Sequence, residues 1–103
     1  MAIWHKVATL EEIPPLGSRV VSTKQGNIAL FRTTGDEVFA LHDKCPHKDG
    51  PLSQGIVHGK KVTCPLHGWN IGLEDGNAIA PDVGCAGKYS VKIEQGMVYL
   101  ALT

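Results

Sequence analysis

Four residues restrict this chain more than any others. They are Cys45 and His47 in Cys45-Pro46-His47, and Cys64 and His67 in Cys64-Pro65-Leu66-His67, with sixteen residues between His47 and Cys64. Each half offers one soft thiolate and one imidazole. Two separated half-sites of mixed Cys/His type favour a metal centre over a disulfide. A structural Cys₂His₂ zinc site is one alternative, and unrelated Cys and His in a turn-rich region is another. Zinc sites usually set a Cys pair beside a His pair. Here each half is mixed, and a single residue separates the first two candidate ligands.

The 103 residues suit one domain, 1–103. A chain of this length buries a modest core, so a bound metal would also help to hold it together. Ten basic and ten acidic residues give a formal net charge of zero. That argues against nucleic acid or a membrane surface as the main partner. The three cysteines, Cys45, Cys64 and Cys85, are too few and odd in number for a disulfide framework. Met1 to Lys6 lacks the basic-then-apolar build of a signal peptide. The longest apolar run, Met97 to Leu102, is far too short to span a bilayer. The expectation is a cytoplasmic protein whose thiols stay reduced and available to metal.

Both ends of the chain read as strands. Trp4 to Ala8 predicts an edge strand. Thr9 followed by Glu12 predicts a capped turn that Pro14-Pro15 ends. Arg19–Ser22, Asn27–Arg32 and Glu37–His42 are further strands, with turns at Gln25-Gly26-Asn27 and Thr34-Gly35-Asp36. In the last of these, Val38, Ala40 and His42 alternate with Phe39 and Leu41. Near the C-terminus Tyr89, Val91 and Ile93 share a face, Gln95-Gly96 turns the chain, and Val98, Leu100 and Leu102 alternate with Met97, Tyr99 and Ala101. That is a hairpin with a buried face. Short strands at this spacing predict an all-β, antiparallel sandwich or barrel.

Between the strand sets lies Asp43 to Gly87, dense in Gly, Pro and Asp and holding all three cysteines. A loop-rich insert on a rigid scaffold is where a site belongs. Pro46 and Pro65 follow the two candidate cysteines and stiffen their loops. Gly50 and Gly68 allow backbone to approach a bound group closely, with N–H groups aimed at it. His5, His42 and His58 read as ordinary residues. His42 closes a strand, and His58-Gly59-Lys60-Lys61 is a hairpin tip. Cys85 reads as a small buried residue. No Gly-x-Gly-x-x-Gly fingerprint follows a strand, and no second His/carboxylate cluster marks a mononuclear iron site. The chain reads as an electron carrier, not a self-sufficient catalyst.

The C-x-H and C-x-x-H pair, both prolines, Gly50-Pro51-Leu52 and His67-Gly68-Trp69 resemble the Rieske iron–sulfur proteins. The resemblance implies one [2Fe–2S] cluster per chain, with Cys45 and Cys64 on one iron and His47 and His67 on the other. It implies a Rieske-type fold with a small loop-rich cluster-binding subdomain, about Asp43 to Gly84, and a covering loop at Ala80-Pro81-Asp82-Val83-Gly84. High-potential members place a bridged cysteine in each ligand loop, where this chain has Gly50 and Leu66. They place a Ser where it has Trp69. Trp4, Pro81-Asp82-Val83-Gly84-Cys85, Tyr89-Ser90-Val91 and Gly96-Met97-Val98-Tyr99-Leu100 resemble the small subunits of assimilatory NAD(P)H nitrite reductases. That implies a large partner subunit bearing flavin and sirohaem and reducing nitrite to ammonia. The alternatives are a Rieske ferredoxin feeding an aromatic-ring dioxygenase, and a zinc-stabilised interaction module.

Overall fold

The computed structural model describes residues 3–24, 26–44, 51–65, 68–79 and 84–102. Among them are ten strands in three antiparallel sheets. The first sheet joins β1 (Ile3–Thr9), β10 (Met97–Leu102) and β9 (Val91–Glu94) in that order. The second runs β2 (Ser18–Thr23), β3 (Gly26–Arg32), β4 (Val38–His42) and β8 (Lys88–Tyr89). The third is β5 (Ile56–His58), β6 (Lys61–Thr63) and β7 (Asn70–Gly72). The all-β expectation holds, and β1 is an edge strand as its mixed sequence suggested.

The four-stranded sheet is the middle layer. Successive strand residues point to opposite faces, and here both faces meet a core. On one side Ile28, Leu30, Val38 and Ala40 pack with Ala8, Ile13, Val98 and Leu100. On the other, Ala29, Phe31 and Leu41 pack with Leu52, Val57, Val62, Cys64, Ile71 and Leu73. This explains the unbroken apolar run Ile28-Ala29-Leu30-Phe31, which a sheet wetted on one side would not need. The β5–β6–β7 sheet is therefore fastened to the scaffold through β3 and β4.

The turns follow local chemistry. Thr23 pairs with Gly26, so the β2–β3 hairpin turns one residue earlier than Gln25-Gly26-Asn27 implied, because Gly26 and Asn27 already belong to the ladder. Thr9 donates both its N–H (2.9 Å) and its hydroxyl (3.1 Å) to the Glu12 carboxylate, and a 3₁₀ turn spans Leu10–Glu12. Pro14 and Pro15 follow it and end it. Gln95 and Gly96 both take positive φ, 52° and 77°, as a two-residue turn between β9 and β10 demands.

One expected strand is divided. Tyr89, Val91 and Ile93 do not lie along one strand, because the chain changes sheet at Ser90. Tyr89 pairs with Ala40 of β4, whereas Val91 pairs with Leu100 of β10. The Ser90 carbonyl accepts the Ala101 N–H at 3.0 Å across this corner. Val98 and Leu100 are fully buried, but Ile93, at the far end of β9, is 38% exposed.

Candidate metal centre

Of the four ligand candidates, Cys64 lies among the described residues; Cys45, His47 and His67 lie outside them. Cys64 follows directly on β6. Its N–H donates to the Trp69 carbonyl at 2.7 Å, and its own carbonyl accepts the Gly68 N–H at 3.1 Å. These two bonds tie off the loop that contains Pro65, Leu66 and His67. Gly68 stands at φ +71°, a left-handed conformation that costs glycine nothing and other residues more. The Gly68 N–H itself closes the turn back onto Cys64.

Cys64 is 2% exposed and sits in an apolar wall with Leu52, Val57, Val62 and Ile71. The described part of the site suits an iron–sulfur cluster. It supplies one soft sulfur donor from a loop fixed at both ends, in surroundings that exclude water.

The first ligand loop is fastened differently. Asp43 N–H donates to Asn27 O at 2.9 Å, moving off the end of β4 onto β3. The Asp43 carboxylate then accepts the Ser53 N–H at 2.8 Å and the Ser53 hydroxyl at 3.0 Å. The Ser18 hydroxyl on β2 donates to the Ser53 carbonyl. Leu52, between these anchors and the loop, is fully buried in the same core as Cys64. The 3₁₀ turn Leu52–Gln54 ends at Gly55, where a Cβ would stand 2.3 Å from the Thr63 carbonyl. Glycine alone lets this turn close onto the strand that leads to Cys64. Sequence reasoning singled out neither Asp43 nor Ser53. Their signal was a carboxylate and a hydroxyl flanking the loop ten residues apart, a spacing that reveals nothing until the loop is closed.

The remaining candidates separate cleanly. His42 is half-buried with its ring against Gly26, and its N–H donates to Gly87 O at 2.7 Å, a packing role as expected. His58 pairs with Lys61 to close the predicted hairpin tip. Its Nε2 lies 2.7 Å from the Thr63 hydroxyl, which in turn donates to Asn70 Oδ1. His5 is exposed on β1. Cys85, expected to be buried, is exposed. It bridges Asn77, and adjacent residues of an extended chain point opposite ways, so Ala86 takes the inner position.

The family model for the Rieske [2Fe-2S] domain matches residues 3–90. The anthranilate 1,2-dioxygenase ferredoxin subunit of Burkholderia cepacia is 35% identical over 99 residues, which cover 95% of this chain and 91% of that protein. The 4beta-methylsterol monooxygenase of Methylococcus capsulatus is 32% identical over 94% of this chain, but this chain spans only 29% of its length. A solved structure assigned as the NADH-dependent nitrite reductase small subunit of Mycobacterium tuberculosis superposes with a TM-score of 0.89. It covers all of this chain and 97% of its own at 22% identity, a likeness of fold. With a buried cysteine on a tied loop, three antiparallel sheets and a family match across most of its length, the chain belongs to the Rieske family, all-β domains that each bind one [2Fe–2S] cluster.

Proposed function

We propose that this chain is the Rieske electron-transfer subunit of an assimilatory NAD(P)H nitrite reductase. In this reading Cys45 and Cys64 hold one iron, and His47 and His67 hold the other. The bound cluster supplies one-electron transfer. The chain's own residues do the rest. Leu52, Val57, Val62 and Ile71 keep water from the Cys64 side, and the anchored loops hold the donors in place. The cluster-binding unit comprises about 43–84, built on the β5–β6–β7 sheet. The large subunit, bearing flavin and sirohaem, reduces nitrite to ammonia, and the complex works in the cytoplasm. No described helix is long and apolar enough to cross a membrane.

The observation supporting this choice is a convergence on the outer face of the first sheet. Trp4 and Tyr99, from opposite ends of the chain, are two of the positions that resemble nitrite reductase small subunits. Both rings flank the Lys92 ammonium, at 4.8 Å and 5.4 Å from their centroids. Two matching positions far apart in sequence thus meet around one lysine. A second reading, a ferredoxin serving an oxygenase, is supported by the 35% identity to the dioxygenase ferredoxin over 91% of that protein.

The test is genetic and biochemical. Deleting the gene should abolish growth on nitrate or nitrite as sole nitrogen source. Nitrite-dependent NAD(P)H oxidation should appear only when this chain and its large subunit are combined. Unimpaired growth, with turnover restored to an aromatic-ring dioxygenase instead, would replace this reading by the ferredoxin one.

A further inference from the structure

The two ligand loops are closed by different means. The Cys64 loop is tied by backbone bonds, Cys64 N–H to Trp69 O and Gly68 N–H to Cys64 O. Truncating a side chain to alanine leaves those groups in place. Asp43 and Ser53, which flank Cys45 and His47 in sequence, are joined through a side chain. The Asp43 carboxylate takes the Ser53 N–H on one oxygen and the Ser53 hydroxyl on the other. Both partners are moored to the central sheet, Asp43 through Asn27 on β3 and Ser53 through Ser18 on β2. A carboxylate accepting two hydrogen bonds is among the stronger neutral-donor arrangements. Without it, Leu52 packing and the Ser18 bond to the Ser53 carbonyl still hold the segment's exit to the scaffold.

We propose that Asp43 and Ser53 are positioning residues for the first ligand loop, and that their clamp sets how long the Cys45/His47 half of the cluster is retained. The inference rests on the ligand assignment above. Partners that orient metal-binding groups typically change affinity by about ten- to a hundredfold when removed.

The experiment follows decay of the visible Rieske spectrum in cluster-loaded protein under an iron chelator. Variants are Asp43→Ala, Asp43→Asn, Ser53→Ala and Arg32→Met. Asp43→Ala should shorten the half-life by about tenfold or more. Ser53→Ala, which keeps the N–H bond, should fall between it and the parent. Asp43→Asn should recover most of the loss, since its amide can accept from the N–H and donate to the Ser53 hydroxyl. Arg32 donates to the Leu10 and Ile13 carbonyls and to Asp36, on the opposite face of β3. Its replacement lowers fold stability away from the ligand loops. Arg32→Met should leave the decay unchanged even where its unfolding midpoint falls as far as that of Asp43→Ala. Equal acceleration by Arg32→Met, or decay of both Asp43→Ala and Ser53→Ala at the parental rate, overturns the clamp. If Asp43→Ala does not fold, Ser53→Ala decides: decay faster than the parent supports the clamp and decay at the parental rate overturns it. A parent protein that never shows the Rieske spectrum instead overturns the ligand assignment, and the clamp with it.

Discussion

Cys64 is where sequence and structure meet most closely. Its residue type and its place in Cys64-Pro65-Leu66-His67 marked it as a ligand, and the fold buries it at the base of a closed loop. Replacing His47 with Ala should remove the Rieske spectrum while the protein stays folded, measured by visible and far-UV circular dichroism together. A second residue-scale prediction concerns potential. Two imidazoles raise it above that of all-cysteine clusters. Gly50, Leu66 and Trp69, standing where high-potential relatives carry the loop disulfide and a serine, should keep it low. Protein-film voltammetry should give about −150 mV, near the bottom of the Rieske range; a value well above zero would contradict this. At the other end of the molecule, the hydrogen bond from the Thr9 N–H holds the Glu12 carboxyl below the usual carboxylate range. The Thr9 hydroxyl and the Arg19 charge assist. A lowered folded-state value contributes stability above the unfolded value, and that stability is lost as pH falls through the folded one. Glu12→Gln should therefore flatten the acid side of the stability profile, read by denaturant unfolding across pH. Thr9 and Glu12 were legible three residues apart. Asp43 and Ser53 were not, because their pairing depends on a loop closure that no local pattern encodes.

At the scale of elements, the strands of the base were legible because their residues alternate or run apolar between Gly, Asn and Asp turns. Of the third sheet only the hairpin tip at His58–Lys61 was legible, since β5, β6 and β7 have three residues each and lie in a stretch dominated by turn residues. The bend at Ser90 was hidden for a related reason. Alternation continues across it, and only the choice of partner, β4 or β10, distinguishes one strand from two. The two-sided core of the middle sheet leads to a paired prediction. Leu30 faces β1 and β10, whereas Leu41 faces the sheet that leads to Cys64. Either Leu→Ala change should cost about 2–5 kcal/mol of fold stability by creating a cavity. Only Leu41→Ala should also hasten cluster loss, because its cavity opens in the wall that holds Cys64. Denaturant unfolding and chelator-driven decay, run on both variants, check this; equal decay would mean that the two cores do not act separately.

At the scale of the whole molecule, the sequence carries no visible nicotinamide fingerprint. Purified alone, it should neither reduce nitrite nor oxidise NADH, and steady-state assays with and without the proposed large subunit check that. The central claim is narrower: two cysteines and two histidines, split between two loops, hold one cluster. The direct measurement is electron–nuclear double resonance on reduced protein labelled with ¹⁵N-histidine. The account predicts nitrogen couplings from two coordinated imidazoles, with the His47→Ala variant losing the signal of the intact Rieske centre. A colourless protein holding stoichiometric zinc after anaerobic iron–sulfide reconstitution, or a cluster without histidine coupling, would contradict it.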